Sequence, residues 1–97
     1  MMLTIWKYPL STDAAHTDLS IPKGGRVLTV QFQDHLPFIW VQVDTEKPPT
    51  MRHFELVATG QQIFPDALYI GTIQRNGMVF HLYEVVDAAQ LEDGGGK

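Results

Sequence analysis

Imidazole is the most versatile side chain in this sequence, and four residues carry it: His16, His35, His53 and His81. Near neutral pH such a ring can hold a metal or pass a proton. None of the two-, three- or four-residue spacings that mark a linear metal motif joins them, so a metal cluster would have to be assembled across strands by the fold. On spacing alone we expect no metal and no cofactor. His53 and His81 fall on expected strands and could share a surface, whereas His16 and His35 fall in expected loops. Carboxylates do no better as an acid and base pair, because Glu55 and Glu84 lie on separate strands and Asp44 and Asp66 at strand ends or in loops.

Nucleophiles are scarcer still. The serines are Ser11 and Ser20, neither of them in a G-x-S-x-G elbow, and there is no cysteine, which removes disulfides, thiolate zinc sites and cysteine catalysis together. Gly24-Gly25 and Gly94-Gly95-Gly96 do not lie between a strand and a lysine-bearing helix, so neither reads as a phosphate loop. The expectation is a non-enzymatic protein. A small enzyme using His53 or His81 as base is the alternative from another class.

A different chemistry fits the polar residues on otherwise apolar strands. Gln31, Gln33, Gln42, Gln74, Arg52, Arg75, His53 and His81 stand beside Trp40 and Tyr69, and flat rings with amide and guanidinium donors suit a planar, polar or anionic ligand or a partner surface. The outward positions of a half-solvated sheet are polar in any case, which explains the same residues without a ligand. Trp6 and Tyr8 are open in the same way, as core or as a subunit contact.

The elements that must position these groups are strands. Leu68 to Val86 alternates on both sides of Asn76-Gly77, a dipeptide that accepts the positive φ angles of a type I′ hairpin turn. Period two places Leu68, Ile70, Phe80 and Leu82 on one face, and Tyr69, Ile73, His81 and Tyr83 on the other. Upstream, Leu3 to Leu10 stops at Pro9, a loop spans Ser11 to His16, and Thr17 to Ile21 runs into a turn at Pro22-Lys23-Gly24-Gly25. Arg26 to Asp34 directs Leu28, Val30 and Phe32 to one face, and Phe38 to Asp44 directs Ile39, Val41 and Val43. The chain reverses at His35-Leu36-Pro37, with a tight turn at Asp34 and His35 possible at some cost. After the Thr45 to Thr50 connection, Met51 to Thr59 points Phe54, Leu56 and Ala58 inward and ends at Gly60. Gly60 to Ala67 has no clean period and is open between a helical turn and a plain connection. Strands at this spacing predict an all-β fold, a single small antiparallel sandwich or partly open barrel of about six to seven strands.

Length and charge bound the rest. A chain of 97 residues with 44% hydrophobic and 19% charged content makes one domain, expected over residues 1–86 and followed by a flexible tail at 87–97. The net charge of −4 has the wrong sign for a phosphate backbone, so no nucleic-acid partner is expected. No apolar stretch approaches the roughly 20 residues that span a bilayer, and Met1 to Asp13 (MMLTIWKYPLSTD) shows no basic segment followed by an apolar run and a small-residue cleavage site, so no membrane is expected and the expected compartment is the cytoplasm. A domain this small gains from self-association, and a homo-oligomer is expected.

Ile5 to Leu10 (IWKYPL), Arg26 to Gln31 (RVLTVQ), Leu36-Pro37 followed by Trp40, Ala58 to Gly60 (ATG) and Tyr69 to Gln74 (YIGTIQ) together resemble a family of short proteins of unknown function from phages, prophages and bacteria. The resemblance covers most of residues 3–85. It implies an accessory protein in the cytoplasm of a bacterial host cell, and it transfers no catalytic or binding residue. The function expected is thus a phage accessory factor that engages a host protein or captures a small polar ligand. The alternative is a structural component of a phage particle.

Overall fold

Alternation of apolar and polar residues decides the architecture. The computed structural model describes residues 1–86, in which the strands are β1 (Leu3–Pro9), β2 (His16–Pro22), β3 (Arg26–Gln33), β4 (Leu36–Asp44), β5 (Pro49–Ala58), β6 (Leu68–Arg75) and β7 (Met78–Val85). They pair in antiparallel fashion into a narrow sheet ordered β1-β4-β3 and a broad sheet ordered β2-β5-β7-β6. This is the all-β sandwich expected from the sequence. No helix among the described residues is long and apolar enough to cross a membrane. The tail expected at residues 87–97 lies outside the described residues.

β4 shows the logic most clearly. Its odd positions, Pro37, Ile39, Val41 and Val43, are buried, while Phe38, Trp40 and Gln42 on the other face are only partly covered. From the broad sheet Phe54 and Leu82, both fully buried, pack against that row, and Leu10, Ile21, Val30 and Ile73 complete the cluster. Full burial of each such side chain contributes about 1.5–3 kcal/mol. One layer of side chains between two sheets therefore carries the fold.

Period two fails at two bulges. Between Val27 and Thr29 the β3–β4 register slips, so Val27, Val30 and Phe32 face inward while Leu28 is the extra residue and is exposed. Between Tyr69 and Gly71 the β6–β7 register slips in the same way. The expected grouping of Ile73 with Tyr69 is therefore wrong. Ile73 pairs with Phe80, shares the inner face with Leu82 and is buried, whereas Tyr69, His81 and Tyr83 keep the outer face. Gly71 belongs to this device, because a Cβ there would meet Val30 Cγ1 at 3.0 Å where β6 closes against β3.

Turns correct two further boundaries. Asn76 (φ 53°) and Gly77 (φ 81°) form the expected tight turn. Asp34 (φ 52°) and His35 (φ 73°) form the other, so Leu36 and Pro37 already belong to β4 and take no part in reversing the chain. His16, expected in a loop, opens β2 and pairs with Glu55. Residues 60–67 contain no helical turn.

Candidate functional site

Four connections meet at one end of the sandwich: β1–β2, β3–β4, the start of β5–β6, and β6–β7. Between them lies a cleft of about 450 Å³, within the range of small-molecule sites. Its floor is apolar, made by Phe32 and Phe80, which meet edge to face with centroids 6.3 Å apart, with Leu56 and Pro37 beside them. Its rim is polar. Arg75 at the end of β6 donates from Nη2 to His35 Nδ1 in the facing turn, so that imidazole nitrogen presents its lone pair to the guanidinium. Asp13, Gln61 and Asn76 continue the rim. Gln61 closes its own loop by accepting the Ala58 amide at 2.7 Å.

The opposite end is closed. Arg52 points between the sheets and donates to both carboxylate oxygens of Glu84 at 2.6 and 2.8 Å, and to the Gly25 carbonyl at 2.5 Å. That guanidinium is committed to internal bonds, so Arg52 leaves the expected binding surface. Tyr8 Oη is buried and meets no hydrogen-bond partner among the described residues. Burial pushes the Tyr8 phenol above its ordinary value, partly offset by the positive charge of Arg52. Asp44 at the end of β4 accepts the amides of Met2 and Glu46, which hold its carboxyl below the ordinary range.

The outer faces differ in chemistry. On the narrow sheet, Gln31, Gln33, Trp40 and Gln42 share a face with Leu3 and Ile5. There Lys7 donates to Gln33 Oε1 at 2.7 Å and lies 4.6 Å from the Phe38 ring centre. On the broad sheet, His81 is held by Thr59 Oγ1 at 2.9 Å and Thr72 Oγ1 at 3.0 Å, and Tyr69 bonds Thr72 at 2.6 Å. Gln74 is on the same face and exposed.

Farther along that face, Asp18 Oδ1 lies 2.5 Å from His16 Nε2 and 2.6 Å from His53 Nδ1, while the other nitrogen of His16 lies 2.6 Å from Glu55 Oε2. Burial disfavours a charged His16 ring, but the bonds to Glu55 and Asp18 outweigh it and raise its pKa. The bond from His53 is the main cause holding Asp18 below the ordinary carboxylate value.

The ten residues singled out by type therefore do not converge. Arg75 alone reaches the cleft, Arg52 is internal, His53, Tyr69, Gln74 and His81 spread over the broad sheet, and the remaining four occupy the narrow sheet. His53 and His81 do share a face, yet the ring beside His53 is that of His16, stacked at 5.9 Å. Sequence reasoning weighed His16 and Glu55 separately and joined neither to His53, and it passed over Asp18. The signal was present as His-x-Asp and His-x-Glu, each placing both side chains on one face once its segment is known to be extended. Phe32 and Phe80 in the cleft carry no such signal, because inward phenylalanines read as core.

Compared with known proteins, residues 1–92 match a family described as Domain of unknown function (DUF7352). No curated protein and no solved structure matches the chain.

Proposed function

This chain belongs to the DUF7352 family, and we propose that it is a non-enzymatic binding protein whose end cleft takes a small ligand with an apolar body and an anionic or strongly polar head. The observation that carries this is the pairing of a phenylalanine floor with the Arg75 guanidinium at the rim. Apolar surface supplies affinity, and one charge-assisted bond from Arg75 orients the head. Asp34 and His35 support the reading, since a turn with two left-handed non-glycine residues beside a cleft is where strain is kept for function. The setting we propose is a phage or prophage accessory role in the cytoplasm of a bacterial host, where the occupant is a free metabolite or a side chain of a host protein.

The test is a titration of ¹⁵N-labelled protein with octanoate and with 3-phenylpropionate. Shifts should concentrate at Phe32, His35, Arg75 and Phe80, and Arg75→Ala should weaken binding about tenfold or more, the worth of one bond to a charge. Shifts confined to the outer faces, or none at millimolar probe, would count against the cleft.

A second reading rests on β1. Met1, Met2, Leu3, Ile5 and Trp6 are all more than 40% exposed, and they crowd the unpaired edge of the narrow sheet. An edge of that kind favours pairing with a second copy, which would make the protein a homo-oligomer or a structural component of a phage particle. Light scattering across protein concentration tests it: a defined dimer dispersed by Ile5→Lys supports closed pairing, and open-ended growth supports assembly.

A further inference from the structure

The quartet on the outer face of the broad sheet has the composition and geometry of a metal centre. β2 and β5 run antiparallel with His16 opposite Glu55 and Asp18 opposite His53. Because alternate residues share a face, two residues from each strand project side by side at one spot. One ligand atom each from His16, Asp18 and His53 lies within 4.8 Å of the others.

Proton accounting shows what that spot lacks. A neutral imidazole has one N–H and one lone pair, yet both His16 nitrogens face carboxylate oxygens, at 2.6 Å to Glu55 and 2.5 Å to Asp18. If Nδ1 keeps its hydrogen for Glu55, Nε2 turns a lone pair toward Asp18 Oδ1, on which His53 Nδ1 also converges at 2.6 Å. Lone pairs aimed at one point repel one another unless positive charge lies between them. The point requires one further proton, on His16 or on a carboxylate, or else a cation.

We propose that His16 Nε2, His53 Nδ1 and one Asp18 carboxylate oxygen bind a divalent transition-metal ion of the zinc type. Two imidazoles and one carboxylate make a borderline donor set suited to Zn²⁺ or Co²⁺ and poorly suited to Ca²⁺ or Mg²⁺, which prefer oxygen. Glu55 acts from the outer shell: it accepts the Nδ1 proton of His16, fixes the tautomer that leaves Nε2 free, and strengthens that nitrogen as a ligand. Two carboxylates and two neutral rings sum to −2, which a divalent ion neutralises. Donors held about 2.0–2.2 Å from zinc sit about 3.3 Å apart in a tetrahedron, so Asp18 must draw back by somewhat less than an ångström and the two imidazole nitrogens, within 4.8 Å of each other, must close toward the same separation. Its exposed side chain, 48% accessible, permits that movement. The two rings stack at 19°, and three protein donors leave the fourth position of a tetrahedron for water or a ligand group.

Co²⁺ is the probe, because its visible absorption reports both binding and coordination number. At pH 7.5 the protein should take up one Co²⁺ per chain, with an intense band between 500 and 700 nm (on the order expected for four-coordinate nitrogen and oxygen ligation) that added Zn²⁺ abolishes. His53→Ala and Asp18→Asn should each lose about a hundredfold or more in affinity, and Glu55→Gln about 10–100-fold with the stoichiometry intact. His81→Ala, altering a ring that is engaged by Thr59 and Thr72, should bind as the parent does. Asp18→Asn keeps shape and size at an exposed position, and its ¹H–¹⁵N spectrum establishes that the fold is retained. Co²⁺ binding that survives the His16→Ala/His53→Ala double change, or the absence of any one-to-one uptake at 100 μM metal (about the weakest affinity a three-ligand site should show), would overturn the proposal in favour of a protonated His16 bridging two carboxylates.

Discussion

The two ends of the sandwich solve the same problem in opposite ways. Each must terminate seven strands without leaving the inner layer of side chains to water. At the end bearing the Pro22–Gly25 turn, an ion pair fills the gap: Arg52 reaches Glu84 and the Gly25 carbonyl, and both charged side chains are more than 80% covered. At the other end the floor of Phe32 and Phe80 stays accessible. Chain conformation there is held in an unfavourable region at Asp34 and His35. The closed end spends polar groups on stability, and the open end gives up stability around a cavity. Substitutions at the two ends should therefore differ in sign as well as size.

The largest effect belongs to the closed end. Removing one member of a covered ion pair strands the other, so Arg52→Met or Glu84→Gln should each cost about 3 kcal/mol in urea unfolding. Replacing both, as Arg52→Met with Glu84→Leu, should recover most of that loss, because two apolar side chains leave no charge without a partner. A double variant as unstable as the worse single one would mean that the pair supplies geometry as well as charge balance. Gly25→Ala ranks next. A Cβ there would lie 2.7 Å from Ile21 Cγ2 and 3.0 Å from Val41 Cγ1, side chains that are fully buried and cannot yield freely. About 1–3 kcal/mol of overpacking is expected, measured by the midpoint of thermal unfolding.

At the open end the sign reverses. His35 has φ 73°, where a side chain costs about 1–2 kcal/mol relative to glycine, and glycine's greater freedom in the unfolded chain returns part of the difference. His35→Gly should thus stabilise the fold by about 0.5–1 kcal/mol while weakening octanoate binding in the cleft. Stability and binding moving in opposite directions is the signature of strain kept for a site. If both rise, or both fall, His35 is an ordinary turn residue and the contrast between the ends loses half its content.

Legibility followed the same division. Alternation in β4 and the Asn76-Gly77 turn were readable because local rules and the global fold agree there. Both bulges escaped, since a single inserted residue at Leu28 or Ile70 leaves no compositional mark and yet breaks the period-two face assignment across it, which misplaced Leu28 on β3 and Ile73 on β6. Arg52 was misassigned for a related reason: an inward arginine on a strand looks like any outward one until Glu84 is known to sit across from it. The His16, Asp18, His53 and Glu55 quartet was half readable, as two spaced pairs, but their union depends on a β2–β5 register set by residues 39 positions apart.

The smallest effect tests how far the closed end's polar interior extends. Tyr8 lies on β1, opposite Ile39, and its buried hydroxyl has no hydrogen-bond partner among the described residues. Tyr8→Phe deletes a group that loses its water on folding and gains nothing in return, so near pH 7 it should leave stability unchanged or raise it by up to about 1 kcal/mol. The informative measurement is at high pH. Burial raises the phenol above its ordinary value of 10.0 in the folded state, so the unfolded chain ionises first. The stability that this group contributes is present below pH 10.0 and is lost as pH climbs through the higher folded value. Phenylalanine cannot ionise and escapes that loss. The advantage of Tyr8→Phe in urea midpoint should therefore widen between pH 8 and about pH 11, and a constant gap across that range would show that Arg52 cancels the desolvation completely and that the charged end of the sandwich reaches as far as β1.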